Sequence, residues 1–232
     1  MSVIDPASPP LDELAEINAS FENAHPGEVV AWAHERFGND MVFTCSFEDP
    51  VLVHLVATKA PGCSIALLDT GFLFAQTHWY AHELQRLLGF PLDIVYPLEN
   101  TTIDFRESLE GCCGARKVEP LNRVLAGKGA WITGVRRVDA PTRANAPIVS
   151  WDPVRNLVKL NPIATLSDDD LELYQSLYEL PANPLVELNY ASIGCWPCTR
   201  PVAPGEDRRA GRWAGSGKVE CGLHVTPAGP AA

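Results

Sequence analysis

The run Met41-Val42-Phe43-Thr44-Cys45-Ser46 reads as a buried strand, and it passes through Phe47-Glu48-Asp49-Pro50 directly into an apolar helix, Val51 to Lys59. Asp49 suits a helix N-cap and Pro50 the first helical position. The same unit then recurs. A second strand, Ser64 to Leu68, ends at Asp69-Thr70-Gly71 and feeds a helix from about Phe74 to Leu88. Leu92 to Tyr96 is a third strand, a helix follows from about Arg116 to Ala126, and Trp131 to Gly134 is a fourth strand. Strands alternating with helices predict a single α/β domain whose mostly parallel sheet is flanked by helices. Ligands of such sheets bind beyond the carboxyl ends of the strands. Three segments are expected there: Ser46 to Pro50, Asp69-Thr70-Gly71, and Gly134-Val135-Arg136-Arg137. The helix start after the first strand is a ready anion site, because its backbone N–H groups are free.

Around this centre the pattern is less regular. Residues 11–37 read as two short amphipathic helices broken at His25-Pro26-Gly27. Ile148 to Trp151 and Leu157 to Leu160 look like two short strands around Asp152-Pro153. Ser167 caps a helix running to about Leu180, and Asp168-Asp169-Asp170 favour its dipole. From Pro181 onward the chain is rich in Pro, Gly and Arg, which predicts an irregular cap over the sheet, with disorder confined to about the last eight residues. The expected organisation is N-terminal helices over 1–38, an α/β nucleotide-binding domain over 39–204, and a C-terminal tail over 205–232.

At 232 residues the chain has ample surface to bury a core. Its longest apolar run falls far short of a membrane span, and Met1 to Pro10 lacks the pattern of a signal peptide. A cytoplasmic address is expected, with no membrane partner. The net charge of −11 is unevenly spread: residues 1–105 hold three basic residues against fifteen acids, whereas the other fifteen basic residues follow position 105. They cluster as Arg116-Lys117, Arg136-Arg137 with Arg143, and Arg200 with Arg208, Arg209 and Arg212. Such clusters focus a field on a small anion. Nucleic-acid binding would need a broader basic face than this.

Seven cysteines in a reducing compartment favour metal binding or catalysis over a disulfide scaffold. Four form two close pairs, Cys112-Cys113 and Cys195-Trp196-Pro197-Cys198. Cys195-x-x-Cys198 is a zinc-knuckle spacing, but adjacent helical residues diverge by about 100°, so Cys112 and Cys113 reach one ion only with local distortion. An iron–sulfur cubane takes its four thiolates on separate irons and tolerates adjacent ligands better. Spacing favours a cluster and leaves zinc open. The Cys-x-Pro-Cys likeness to a thioredoxin dithiol is weak, because the motif lies late in the chain in an irregular segment. Cys45 and Cys63 read as core filling, and His78 and His82 as ordinary helix residues.

Cys221 stands alone in Glu220-Cys221-Gly222-Leu223-His224, with Lys218, Arg209 and Arg212 upstream. Nearby cations raise the thiolate fraction, which suits a nucleophile. Gly211, Gly215 and Gly217 suggest that the tail carrying it swings.

Taken together, Cys112-Cys113-Gly114-Ala115-Arg116-Lys117, Trp131 to Arg137, Ser192 to Thr199, Arg209-Ala210-Gly211-Arg212-Trp213 and Lys218 to His224 resemble the assimilatory adenylyl-sulfate (APS) reductases of the phosphoadenylyl-sulfate reductase family. The resemblance implies an adenine-nucleotide α-hydrolase-like fold and a [4Fe–4S] cluster on Cys112, Cys113, Cys195 and Cys198. It implies Cys221 as the nucleophile, with thioredoxin or a similar dithiol resolving its S-sulfo intermediate. Lys117 would bridge cluster and substrate, and Arg209, Arg212 and His224 would hold the phosphosulfate. One of Arg136 and Arg137 would join them, together with Ser46. The family's loop after the first strand usually contains glycine, whereas Thr44 to Pro50 has none, which weakens the expectation for Ser46. Filled ligand positions favour APS over its 3′-phosphorylated form. The rivals are a reductase of that 3′-phosphorylated nucleotide, a zinc-stabilised nucleotide-binding module, and an RNA thiolase of related fold. The last would want a glycine-rich loop and a broad basic face.

Overall fold

The computed structural model describes residues 10–224, so the expectations for residues 1–9 and for the last eight residues lie outside it. Six strands form one sheet in the order β3-β2-β1-β4-β6-β5. They are β1 Met41–Cys45, β2 Ser64–Leu68, β3 Leu92–Val95, β4 Ala130–Thr133, β5 Val149–Asp152 and β6 Leu157–Leu160. All neighbours are parallel except β5 and β6, which make an antiparallel hairpin at one edge. Phe43 of β1 is level with Ile65 of β2 on one side and Ile132 of β4 on the other. The chain works outward from β1 to β3, then returns to lay β4 on the opposite side of β1. The switch point therefore lies between β1 and β4, where a crevice opens beyond the strand ends.

Strand alternation assigns each residue to a face. Met41, Phe43, Ile65, Leu67 and Ile132 share one core with residues of α2 (Pro26–Phe37), α3 (Val51–Lys59) and α4 (Ala75–Leu88). Leu14 of α1 (Leu11–Ser20) and Leu171 of α7 (Asp168–Leu177) join it. Val42, Ala66, Leu68 and Trp131 face the other way, onto Leu121 and Leu125 of α6 (Glu119–Leu125). Covering both faces explains why the strands read as nearly continuous apolar runs. His25 and Ser167 cap α2 and α7 through their side chains, at the expected break and start.

The helix expected from about Arg116 differs. It begins at Leu109 as α5 (Leu109–Cys113), passes through a π-helical turn over Gly114–Val118, and continues as α6. Ser108 caps the true start by accepting the Gly111 N–H at 3.0 Å. Gly111 and Gly114 hide this segment from propensity, since glycine is a poor helix former. The helix thus carries the cysteine pair, and the π turn, an irregularity frequent at functional sites, follows it directly.

After α7 the described chain has only short 3₁₀ turns and isolated bridges. The cap is tied down by backbone pairing instead: Leu73 bridges Cys195 and Thr199 bridges Arg212. Trp196 N–H donates to Phe72 O at 2.8 Å, and Trp213 N–H to Cys198 O at 2.9 Å. Among the described residues no helix is long and apolar enough to cross a membrane.

Candidate active site

The crevice between β1 and β4 opens into a cavity of about 160 Å³ that reaches the tail. Six cationic side chains line it: Lys117, Arg136, Arg143, Arg208, Arg209 and Arg212. Three are spent on carboxylates. Arg136 meets Asp139 at 2.8 Å and Asp168 at 2.7 Å, Arg208 meets Glu48 and Asp168, and Arg143 meets Glu220 at 2.7 Å. Lys117, Arg209 and Arg212 have no carboxylate partner among the described residues. Burial, together with the like charges of Arg143 and Arg212, disfavours the Arg209 guanidinium, a strain that an incoming anion would relieve. Six buried side-chain polar atoms lack a hydrogen bond among the described residues, and four of them line this one cavity: Thr77 Oγ1, Arg136 Nη1, Arg212 Nε and His224 Nδ1. Unmet buried polar groups are costly, so their concentration here marks a place built for a polar ligand.

The glycine-free loop after β1 still makes its turn. Phe47 takes the left-handed conformation at φ 53°, which costs a non-glycine residue about 1 kcal/mol or more. Its ring is fully buried and stacks on Phe90, while Asn183 Nδ2 donates to its carbonyl at 2.9 Å. Packing therefore substitutes for glycine. Ser46 lines the cavity as expected. The expected anion site at the α3 N-terminus is otherwise arranged: Asp49 Oδ1 accepts the Val51 N–H at 3.0 Å, so a carboxylate of the chain already occupies it. The positive character of the cavity comes from side chains.

Burial and the adjacent Glu48 push the Asp49 carboxyl up to about 6, against the pull of Val51 N–H and Arg136. A folded-state value above the unfolded one means that this group's stability contribution is full below the unfolded pKa and lost as pH rises through about 6. Asp49→Asn keeps an acceptor for Val51 and is expected to exceed the native chain in stability at neutral pH by about 1–3 kcal/mol. The gap should close as pH falls toward about 4. Urea denaturation across that range measures it, and a gap indifferent to pH would count against the assignment.

The tail enters from the far side. Gly222, at φ 84°, turns the chain immediately after Cys221, a conformation that L residues rarely adopt. Leu223 packs on the α6-side core, and His224 stacks on the buried Trp131 ring at 5.4 Å. Burial and the surrounding Lys159, Arg143, Arg155 and Lys117 drive His224 well below the usual histidine value. Burial therefore favours the neutral imidazole over the cation here.

Cys112, Cys113, Cys195 and Cys198 all border a second, apolar recess, walled by Phe72, Phe105, Leu109 and Pro197. Thr70 Oγ1 lies 3.2 Å from Cys195 Sγ. Burial and the neighbouring sulfurs push the Cys112 thiol up to about 11. Arg116 anchors the rim by donating to the carbonyls of Ile103, Thr70 and Thr101. Among the described residues no three His, Cys, Asp or Glu side chains converge tightly enough for one metal ion. An all-sulfur donor set around an open recess fits a multinuclear group better than a single zinc. Lys117, Arg212, Trp213 and Cys221 line both the recess and the anion cavity, so these four residues form the partition between them. Burial disfavours the Lys117 ammonium, but the sulfurs of Cys195, Cys221 and Cys113 outweigh it and hold its pKa above the usual lysine value.

Of the expected site residues, Cys221, Lys117, Arg136, Arg209, Arg212, His224 and Ser46 thus meet at one cavity. Arg137 does not. Its guanidinium pairs with Glu22 and donates to Ala146 O at 2.9 Å, outside the cavity, because consecutive residues leaving a strand point opposite ways. Cys45 packs against the core as expected, and it also reaches the site. It ends β1, borders the cavity, and accepts the Phe47 N–H at 3.1 Å. Cys63 is buried as expected, while His78 and His82 turn to different partners, Asp69 and Gln85. Sequence reading missed Thr77 and Asp139 as lining residues, while Glu48 and Trp213 lie within expected segments but were given no role. Glu48, at a strand end, carried a local signal.

Residues 40–201 match the family model described as the phosphoadenosine phosphosulfate reductase domain. The chain is 42% identical over 237 residues to the adenosine 5′-phosphosulfate reductase of Rhodococcus opacus, covering 93% of this chain and 95% of that one. It is 42% identical over 227 residues to the enzyme of the same name from Mycolicibacterium smegmatis, again covering 93% and 95%. Among solved structures, the phosphoadenylyl-sulfate reductase of Candida auris superposes with a TM-score of 0.72 at 22% identity, over 83% of this chain and 98% of that one, a likeness of fold. With a domain model spanning most of its length and relatives this close, the chain belongs to the phosphoadenosine phosphosulfate reductase family.

Proposed function

We infer that this chain is an oxidoreductase acting on a sulfur group, which reduces adenosine 5′-phosphosulfate to sulfite and AMP in sulfate assimilation. The observation that carries the reading is the partition: Cys221, a thiol shared by the recess and the cavity, lies where Lys117, Arg209 and Arg212 have no carboxylate partner among the described residues. Curated relatives of this length and similarity bear the name adenosine 5′-phosphosulfate reductase, which supports the substrate.

The Cys221 thiolate attacks the sulfuryl sulfur. The bond from that sulfur to the bridging oxygen breaks, and AMP departs with the electron pair. Lys117, Arg209 and Arg212 offset the oxyanion charge, each such contact being worth about 3 kcal/mol. His224 and Arg136 offer neutral and paired donors to the same anion. The product is an S-sulfocysteine on Cys221. A thiolate of a reduced dithiol protein, thioredoxin or a similar donor, then attacks Cys221 Sγ and expels sulfite. The resulting mixed disulfide is resolved by the donor's second thiol. The tail must leave the cavity for that exchange.

Cys112, Cys113, Cys195 and Cys198 would hold a [4Fe–4S] cluster, supported by the all-sulfur recess and the π turn beside the cysteine pair. Its contribution when bound is structural and electrostatic, because the thiol route is complete in electrons without it.

Anaerobically purified protein is expected to contain iron and acid-labile sulfide and to release sulfite from APS far faster than from its 3′-phosphorylated form. Zinc without sulfide would overturn the cluster. Faster turnover of the 3′-phosphorylated nucleotide would overturn the substrate.

A further inference from the structure

Cys221 directly follows two charged tail residues that pair with different parts of the site. Lys218 Nζ reaches Glu110 Oε1 at 3.2 Å on the helix bearing Cys112 and Cys113. Glu110 is 77% exposed, so solvent screens that pair and little energy resides in it. Glu220 is held differently. Arg143 donates Nε to Oε1 and Nη2 to Oε2, both at 2.7 Å, and Thr142 Oγ1 adds a bond at 3.3 Å. The Arg143 side chain is 12% exposed and that of Glu220 24%. A two-pronged, largely desolvated arginine–carboxylate pair is among the stronger polar contacts a protein makes.

The pair is also the end of a longer chain of charges. Arg143 touches Asp139 at 3.4 Å, Asp139 touches Arg136, and Arg136 shares Asp168 with Arg208, which in turn binds Glu48. This network joins the loops after β1 and β4 to the cap, and Glu220 is the tail's connection to it. A carboxylate beside an anion cavity would be counterproductive unless it did something else. Here it neutralises Arg143 and leaves Lys117, Arg209 and Arg212 for the substrate.

We propose that Glu220 is a positioning residue: its pair with Arg143 is the clasp that holds Cys221 against the cavity and opens when the tail leaves to meet the dithiol donor. The proposal rests on the reading of Cys221 as nucleophile, but its test need not use the nucleotide. In nucleotide-free holoprotein, iodoacetamide alkylation of Cys221 is followed by peptide mass, and rates are compared at the alkaline plateau, where the thiol is fully ionised. Glu220→Gln is expected to raise that limiting rate about tenfold, the shift given by losing charge-assisted bonds worth about 1.5 kcal/mol. Arg143→Gln should do the same, and the double variant should be no faster than either alone, because one clasp cannot open twice. Glu220→Asp should fall between. With APS, Glu220→Gln should slow formation of the Cys221 sulfonate while the donor-dependent release step is unchanged or faster. Limiting alkylation rates equal to the native chain's in both single variants would overturn the clasp, as would additive acceleration in the double variant. Because Glu220→Asp keeps the charge, a misfolded glutamine variant still leaves the comparison standing. A native chain that never gains a sulfonate would refute the proposed reaction and leave the clasp intact.

Discussion

Cys221→Ser holoprotein is expected to lose sulfite release by about four orders of magnitude or more, the scale of deleting a nucleophile that forms the covalent intermediate. A serine hydroxyl in the same place is a far poorer nucleophile at neutral pH, and no base among the lining residues is set to activate it. Asp49 and Glu48 line the cavity, but Glu48 is bound by Arg208 and accepts the Ile193 N–H, and Asp49 is tied to Val51. His224 has its basicity lowered by burial and neighbouring cations, and it stacks on Trp131. The measurement has two parts. Sulfite release should vanish, and native protein given APS without a dithiol should gain the mass of one sulfonate that the variant does not. The visible spectrum of the variant should match the native one, since Cys221 is not among the four thiols proposed to hold the cluster. A variant that still turned over, or that lost the chromophore, would remove Cys221 from its role.

Gly194→Ala should be the next most damaging change, although it deletes no charged group. A β-carbon at this position would lie 2.4 Å from Arg212 Nη2 and 2.6 Å from its Cζ, well inside contact distance. The guanidinium lies against Gly194, donates to Ile193 O at 3.2 Å and Ser192 Oγ at 3.3 Å, and covers the Trp213 ring at 4.5 Å. One methyl group therefore expels Arg212 from the partition. The expected loss in kcat/KM is about 10²–10³-fold, the scale of removing one oxyanion donor. Arg212→Ala should lose a similar amount, and the double variant little more than either. Near-native kinetics for Gly194→Ala would mean that Arg212 relaxes without cost and does not hold the anion in this position.

Much of this was legible along the chain because it depends on neighbours in sequence. The strand–helix alternation, the breaks at His25-Pro26 and Ser167, and the spacing of Cys195 and Cys198 are local patterns, and the elements formed accordingly. The helix through Cys112 was not, since two glycines lower its propensity and the π turn has no sequence signature. Cys45 was only half legible for a related reason. A cysteine in an apolar strand reads as core, and only the place where the sheet stops shows that it borders the crevice.

Read by itself, the chain determined the α/β class, the set of seven cysteines and the cationic segments that serve the site. Which cations remain available for a ligand was decided only by the tertiary structure, because counter-ions come from distant segments. Glu22 takes Arg137 away from a position 115 residues earlier, Asp168 draws on Arg136 across 32 residues, and Glu220 absorbs Arg143 across 77. Lys117, Arg209 and Arg212 are left beside Cys221 by that long-range pairing, which no local periodicity encodes.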